Sequence, residues 1–142
     1  RDQMGLIVSA HHPFARRAEI SVAELRDVDL IIREEGSGTR RMLETALRSA
    51  GQELSSLRVI MELSSLRAII AMVRHDVGVS VLSHMLASDP DDPNDAISFV
   101  PISELKLDRQ IHLVSRNPDD QSAVARELVA MLRRDSTVRA RP

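Results

Sequence analysis

The chain has no cysteine, no tryptophan and no tyrosine, and its aromatic content of 1% rests on Phe14 and Phe99. Without cysteine there are no disulfides and no thiolate metal sites. Without Tyr or Trp there are no platforms on which nucleobases could stack. No apolar run approaches the roughly 18–20 residues of a membrane span, and no basic-then-apolar leader opens the chain. A charge excess is missing too. Lys and Arg number 19 against 21 Asp and Glu, a net charge of −2, which argues against this chain gripping nucleic acid by itself. The histidines His11, His12, His75, His84 and His112 show no helical ligand spacing, so nothing supports a metal site. Arg133, Arg134, Arg139 and Arg141 read as a solvated helix end, where cations are favoured.

What is present is one domain's worth of chain. Its 142 residues are 43% hydrophobic and 28% charged, enough for a core in an ordinary globular protein. It opens Arg1-Asp2-Gln3 without an initiator Met and passes almost at once into a strand pattern, which reads as a segment of something longer.

Apolar runs and alternation predict strands at Leu6–Ser9, Asp29–Arg33, Leu57–Leu63, Val79–Leu82, Ile97–Ile102 and Gln110–Ser115. The run at Val79–Leu82 is nearly all apolar, as in a strand covered on both faces. Helical spacing predicts a short turn over Val22–Arg26 capped by Ser21 and a helix over Thr39–Ala50 stopped by Gly51. It predicts another helix after Ser64-Ser65 and a last one with Val124, Leu128, Met131 and Leu132 on its apolar face. Ser83–Ala87 reads as a further helical turn, and Asp89–Asp95, acidic and holding two prolines, as a loop. The alternation implies an α/β fold with a doubly wound, mostly parallel sheet.

The most informative segment is Arg33-Glu34-Glu35-Gly36-Ser37-Gly38-Thr39-Arg40, between a strand and a helix. A glycine-containing turn lets a ligand approach the backbone, and the first helical amides point outward at the positive end of the dipole. A carboxylate, sulfate or phosphate fits such a place. The same residues are also ordinary N-caps. Small hydroxyls follow three predicted strands: Ser9, Ser37 to Thr39, and Ser64-Ser65. In wound sheets ligands sit beyond the carboxyl ends of strands, so the three could converge on one cleft, or each could simply cap its own element. Arg40 could pair with a carboxylate bidentately or point to solvent. Glu34-Glu35 reads most simply as a solvated loop edge, and no catalytic constellation is visible.

Several segments, in order, resemble the LysR-type transcriptional regulators. Val8-Ser9-Ala10-His11-His12-Pro13-Phe14-Ala15 is similar to their hinge-side strand and "HPLA" loop, and Arg33–Arg40 to their "RE-GSGTR" segment. Glu62–Ile69 resembles their "E-SS-EAI" junction, Val77–Ser83 their "GLGVSLLP" strand, and Pro101-Ile102 with Arg109–Arg116 their late strands. The chain departs from the pattern at Asp76, where a Gly is usual, and at Ser83, where many members have Pro.

The resemblance implies the effector-binding domain of such a regulator, with the type II periplasmic-binding-protein-like fold of two α/β lobes joined by two crossing strands. Residues 9–101 would be the second lobe, 102–134 the returning strand and terminal helix of the first, and 135–142 a frayed tail. It implies effector contacts from Ser9, Ser37, Gly38, Thr39, Arg40, Ser64 and Ser65, with Ser64 and Ser65 the looser carry-over. It further implies a small, anionic effector, no cofactor, no enzymatic activity, a cytoplasmic homodimer or tetramer, no membrane, and DNA contact only through a winged helix-turn-helix outside this chain. A periplasmic solute-binding protein of the same fold, or a lyase such as a prephenate dehydratase built on it, is the rival reading.

Overall fold

A computed structural model of the chain describes residues 2–86, 97–112, 114 and 122–138. The elements are β1 (Asp2–Ser9), α1 (Val22–Leu25), β2 (Leu30–Arg33), α2 (Gly38–Ser49), β3 (Val59–Leu63), α3 (Leu66–Arg74), β4 (Val79–Ser83), β5 (Ile97–Val100), β6 (Asp108–Arg109) and α4 (Ala123–Val138). Single 3-10 turns cover Leu54–Ser56 and His84–Leu86. The chain divides into two compact units, Arg1–Ile111 and His112–Pro142.

In the first unit the strands run in the order β3-β2-β4-β1-β5, with β6 beside β1. The sheet is mixed and not mostly parallel. β2 is parallel to β3 and β4, but β1 runs against β4, β5 and β6. Periodicity cannot supply strand direction. β4 is buried at all five positions, as its apolar run predicts.

Alternation along each strand sorts side chains onto two faces. Leu6, Val8, Leu30, Ile32, Val79 and Val81 point to one core, which α1 and α2 close with Val22, Leu25, Leu43 and Leu47. Ile7, Ile31 and Leu82 point to the other, closed by Ile69 and Val73 of α3. Ser80 sits between Ile7 and Ile31 in register, and its hydroxyl is buried without a hydrogen-bond partner.

The helix ends follow from local chemistry. Ser21 and Glu24 form a reciprocal capping box on α1. α2 and α3 stop in the same way. After α2 the amides of Gly51 and Gln52 donate to the carbonyls of Arg48 and Leu47, and after α3 those of Asp76 and Val77 donate to Val73 and Met72. This is the Schellman pattern, whose C′ residue takes left-handed backbone. Gly51 has φ +72° and Asp76 φ +57°.

Three sequence expectations end differently. β1 begins at Asp2, four residues earlier than its apolar run. Residues 110–112 and 114 are not strand; the pairing segment is Asp108–Arg109. Ile111 and Val114 are apolar but 70% and 89% exposed, and an apolar segment makes a strand only where a neighbour exists to pair with. α4 continues to Val138, into the span read as a frayed tail. Its apolar stripe of Val124, Leu128, Met131 and Leu132 is exposed. The acidic loop Asp89–Asp95 lies outside the described residues.

Candidate effector site

Strand direction decides which loops can meet. β2, β3 and β4 point the same way, so Arg33, Leu63 and Ser83 finish at one end of the sheet. β1 runs oppositely, with Met4 beside Ser83, so that end also receives the start of β1 and its partner β6. The junctions leading into α2 and α3 share this end. Ser9 does not. It lies at the opposite end, paired with Ile97, where its hydroxyl accepts from the His11 amide at 3.2 Å and its carbonyl from the His12 amide at 3.0 Å. The expected convergence of three hydroxyl loops is therefore reduced to two, because β1 is antiparallel to the strands beside it.

The β2–α2 junction is a tight turn. The Ser37 amide donates to the Glu34 carbonyl at 3.1 Å, and Gly36 has φ +85°, a conformation that favours glycine. Ser37 is the N-cap of α2, yet its side chain makes no capping bond, although the residue is only 9% exposed. The first-turn amides that follow, in Gly38, Thr39 and Arg40, have no acceptor within the helix. A Cβ on Gly38 would meet nothing within 4 Å, so the space over this turn is open.

The β3–α3 junction is built from similar residues and used differently. Ser65 is the N-cap of α3, and its hydroxyl accepts from the Ala68 amide at 3.3 Å. Ser64 and Ser65 are both exposed.

Glu62, the fourth residue of β3, joins the two junctions. Its carboxylate accepts from the Glu35 amide at 3.1 Å and from Arg40 Nη1 at 2.6 Å, while the Glu34 amide donates to the Leu63 carbonyl at 3.2 Å. The Glu35 amide and then Arg40 hold the Glu62 carboxyl below the usual carboxylate range. Arg40 also donates from Nε to Glu44 at 2.9 Å and from Nη1 to the Arg33 carbonyl at 3.4 Å. Its hydrogen bonds to Glu44 and then Glu62 raise its pKa. Arg33 grips Glu34 through Nε and Nη2, both at 2.8 Å, which lowers the Glu34 carboxyl.

Arg40 therefore does not stand ready for a ligand carboxylate. A guanidinium at the third position of α2 reaches its i+4 neighbour and the adjacent strand first, and it fixes the turn that carries Ser37. Glu34, expected as a solvated loop edge, is an ion-pair partner of Arg33.

A groove of about 720 Å³ runs along α2, lined by Gly38, Arg41, Met42, Thr45, Glu104 and Lys106 among others. Gly38 is the one expected site residue that lines it. Among the described residues no group of three His, Asp or Glu could hold a metal ion, and no helix is long and apolar enough to cross a membrane.

A second polar cluster stands at this end, with no local pattern in the sequence to mark it. Asp2 is 2% exposed, and its carboxylate accepts from the Ser83 hydroxyl and, at 2.6 Å, from Arg109 Nε. Asp2 and Arg109 lie 107 positions apart, beyond any local pattern. The one available signal was Ser83 itself, a departure from the resemblance.

Comparison with known proteins places this geometry. A family model, the LysR substrate binding domain, matches residues 1–137. An uncharacterised HTH-type transcriptional regulator of Methanocaldococcus jannaschii is 38% identical over 125 residues, 87% of this chain and 42% of that protein. The HTH-type transcriptional regulator CysL of Bacillus subtilis is 33% identical over 113 residues, 80% of this chain and 36% of that protein. Among solved structures, the CcmR regulatory domain of Synechocystis PCC6803 in complex with 2-PG superposes with a TM-score of 0.73 at 26% identity. The match covers 92% of this chain and 61% of that one. The effector-binding domain of QuiR in complex with shikimate superposes at 0.61, with 19% identity over 80% of this chain and 55% of that one, a likeness of fold.

The chain belongs to the LysR substrate-binding domain family. It is effector-binding domain sequence of a LysR-type transcriptional regulator, a family of ligand-binding regulators and not of enzymes. That sets aside the solute-binding and lyase readings. The chain spans about two fifths of the length of the curated relatives it matches.

Proposed function

We propose that this chain forms one wall of a two-lobed effector site and that a small anionic metabolite lodges against the Ser37–Thr39 turn. Residues 9–101, together with β1, make up the second lobe. Residues 102–134 include the returning strand and the terminal helix of the first. The observation that carries the reading is Ser37, a buried N-cap whose hydroxyl does not serve its own helix. The first-turn amides of α2 have no acceptor within the helix and lie beside the open space over Gly38, with the helix dipole favouring negative charge. Arg33 with Glu34, and Arg40 with Glu44 and Glu62, balance one another around that turn, so the turn itself offers directional amide donors more than net charge. Two related domains are complexes with small molecules, 2-PG and shikimate.

Ligand binding between lobes favours one lobe angle to the extent that affinity differs between the two arrangements. In a cytoplasmic homodimer or tetramer that bias resets the spacing of winged helix-turn-helix domains on DNA. Of the seven residues expected to touch effector, Ser37, Gly38 and Thr39 hold the best position. Ser64 stands nearby, Ser65 is committed to α3, Arg40 supports the turn, and Ser9 belongs to the other end of the sheet. Replacing Ser37→Ala together with Thr39→Val in a protein with both lobes is expected to weaken effector binding at least tenfold by calorimetry. Unchanged affinity would remove the site.

A further inference from the structure

The cations that sequence reading offers at this end of the sheet are engaged. Arg33 holds Glu34 with two nitrogens, and Arg40 holds Glu44, Glu62 and a carbonyl. Arg109 is held differently. Among the described residues its Nε alone is bonded, to Asp2 Oδ2 at 2.6 Å, and its side chain is 37% exposed while that of Asp2 is 1% exposed. The carboxylate behind it is fixed in turn. Asp2 Oδ1 accepts from the Ser83 hydroxyl, which also accepts from the Met85 amide at 3.2 Å. Asp2 and Arg109 are direct partners across β1 and β6, and Ser83 closes β4 beside Met4. Three strands therefore meet at one buried carboxylate that grips one edge of a guanidinium whose side chain is partly exposed. A planar guanidinium oriented from behind is suited to bidentate recognition of a carboxylate or phosphate. Proline, which many members of the resembled family have at position 83, could not donate this hydrogen bond.

We propose that Asp2 and Ser83 position Arg109 as the anion-recognising cation of the effector site, the role that sequence reading gave to Arg40. The proposal rests on the two-lobed reading above and names the charged group within it. The ligand it implies carries a carboxylate or a phosphate monoester, which Arg109 meets while the Ser37 turn supplies neutral donors.

The test uses full-length protein with both lobes. Its probe is whichever member of a panel of carboxylate and phosphate-ester metabolites most raises the melting temperature, with the uncharged amide or alcohol of that compound as control. Arg109→Gln is expected to weaken the probe at least tenfold by calorimetry and to leave the uncharged control unchanged. Because Arg109→Gln strands the Asp2 charge, the double variant Asp2→Asn with Arg109→Gln is measured beside it. It is expected to lose the probe equally while melting within a few degrees of the parent. Arg109→Lys is expected to recover only part of the affinity, since an ammonium cannot form the bidentate pair. A parent that binds and variants at position 109 that bind equally well would overturn the Arg109 assignment and leave the site standing. A parent that binds no member of the panel would overturn both.

Discussion

The two strand-to-helix junctions begin alike and end up with opposite chemistry. Each places a serine at the N-cap after a parallel strand. Ser65 is exposed and turns its hydroxyl onto its own helix. Ser37 is buried, and its hydroxyl is kept off α2. The difference comes from what surrounds them. Gly36 folds the first loop back through a left-handed residue, while Arg40 and Glu62 tie it to the neighbouring strand. A serine before a helix is thus a cap or a candidate ligand depending on contacts tens of residues away.

The sharpest way to break the comparison is to delete each hydroxyl. Ser65→Ala is expected to destabilise the domain by about 1 kcal/mol, the usual cost of a lost cap. Ser37→Ala should cost only a few tenths, and urea unfolding with unchanged m-values reads both. Equal losses would mean that the Ser37 hydroxyl caps α2 in solution.

The far ends of the same helices offer a somewhat smaller contrast. Gly51 and Asp76 occupy equivalent left-handed positions. Asp76→Gly is expected to raise stability by roughly 0.5–1 kcal/mol, since glycine carries no Cβ penalty there. A decrease would show that the aspartate side chain contributes more than its backbone costs.

The smallest effect is electrostatic. Glu62 has its pKa lowered, chiefly by the Glu35 amide and then by Arg40. A carboxyl with a depressed folded pKa stabilises the fold above its unfolded value, near 4.5, and that contribution fades as pH falls through the folded value. Glu62→Gln should therefore lower the melting temperature slightly at neutral pH and converge with the parent in the acid range. A difference that persists unchanged in acid would assign the effect to packing.

Much of the layered fold was legible because burial on both faces makes β2 and β4 near-continuous apolar runs and burial on one face leaves a 3.6-residue stripe on α2 and α3. Gly51 and Ser21 announced their helix ends through local sterics and hydrogen bonding. Strand direction was not legible, since no local pattern distinguishes a parallel β1 from an antiparallel one, and that single fact moved Ser9 to the wrong end of the sheet for the proposed site. Arg40, which by sequence could pair with a ligand carboxylate or point to solvent, has other partners in the fold. Its residue type fits an anion, but Glu44 and Glu62 reach it first. The Asp2–Arg109 contact spans nearly the whole first unit and left no trace in spacing. Ser83 was noticed only as a departure, and its partner appeared with the fold.

The lone hydroxyl of Ser80 has a consequence for the sheet's centre. Flanked by Ile7 and Ile31, it gives up water on folding and receives no bond in exchange. The second residue of β4 is thus a site of unrelieved dehydration, where an alanine would fit the same volume without that debt and where the domain holds a reserve of stability it does not use.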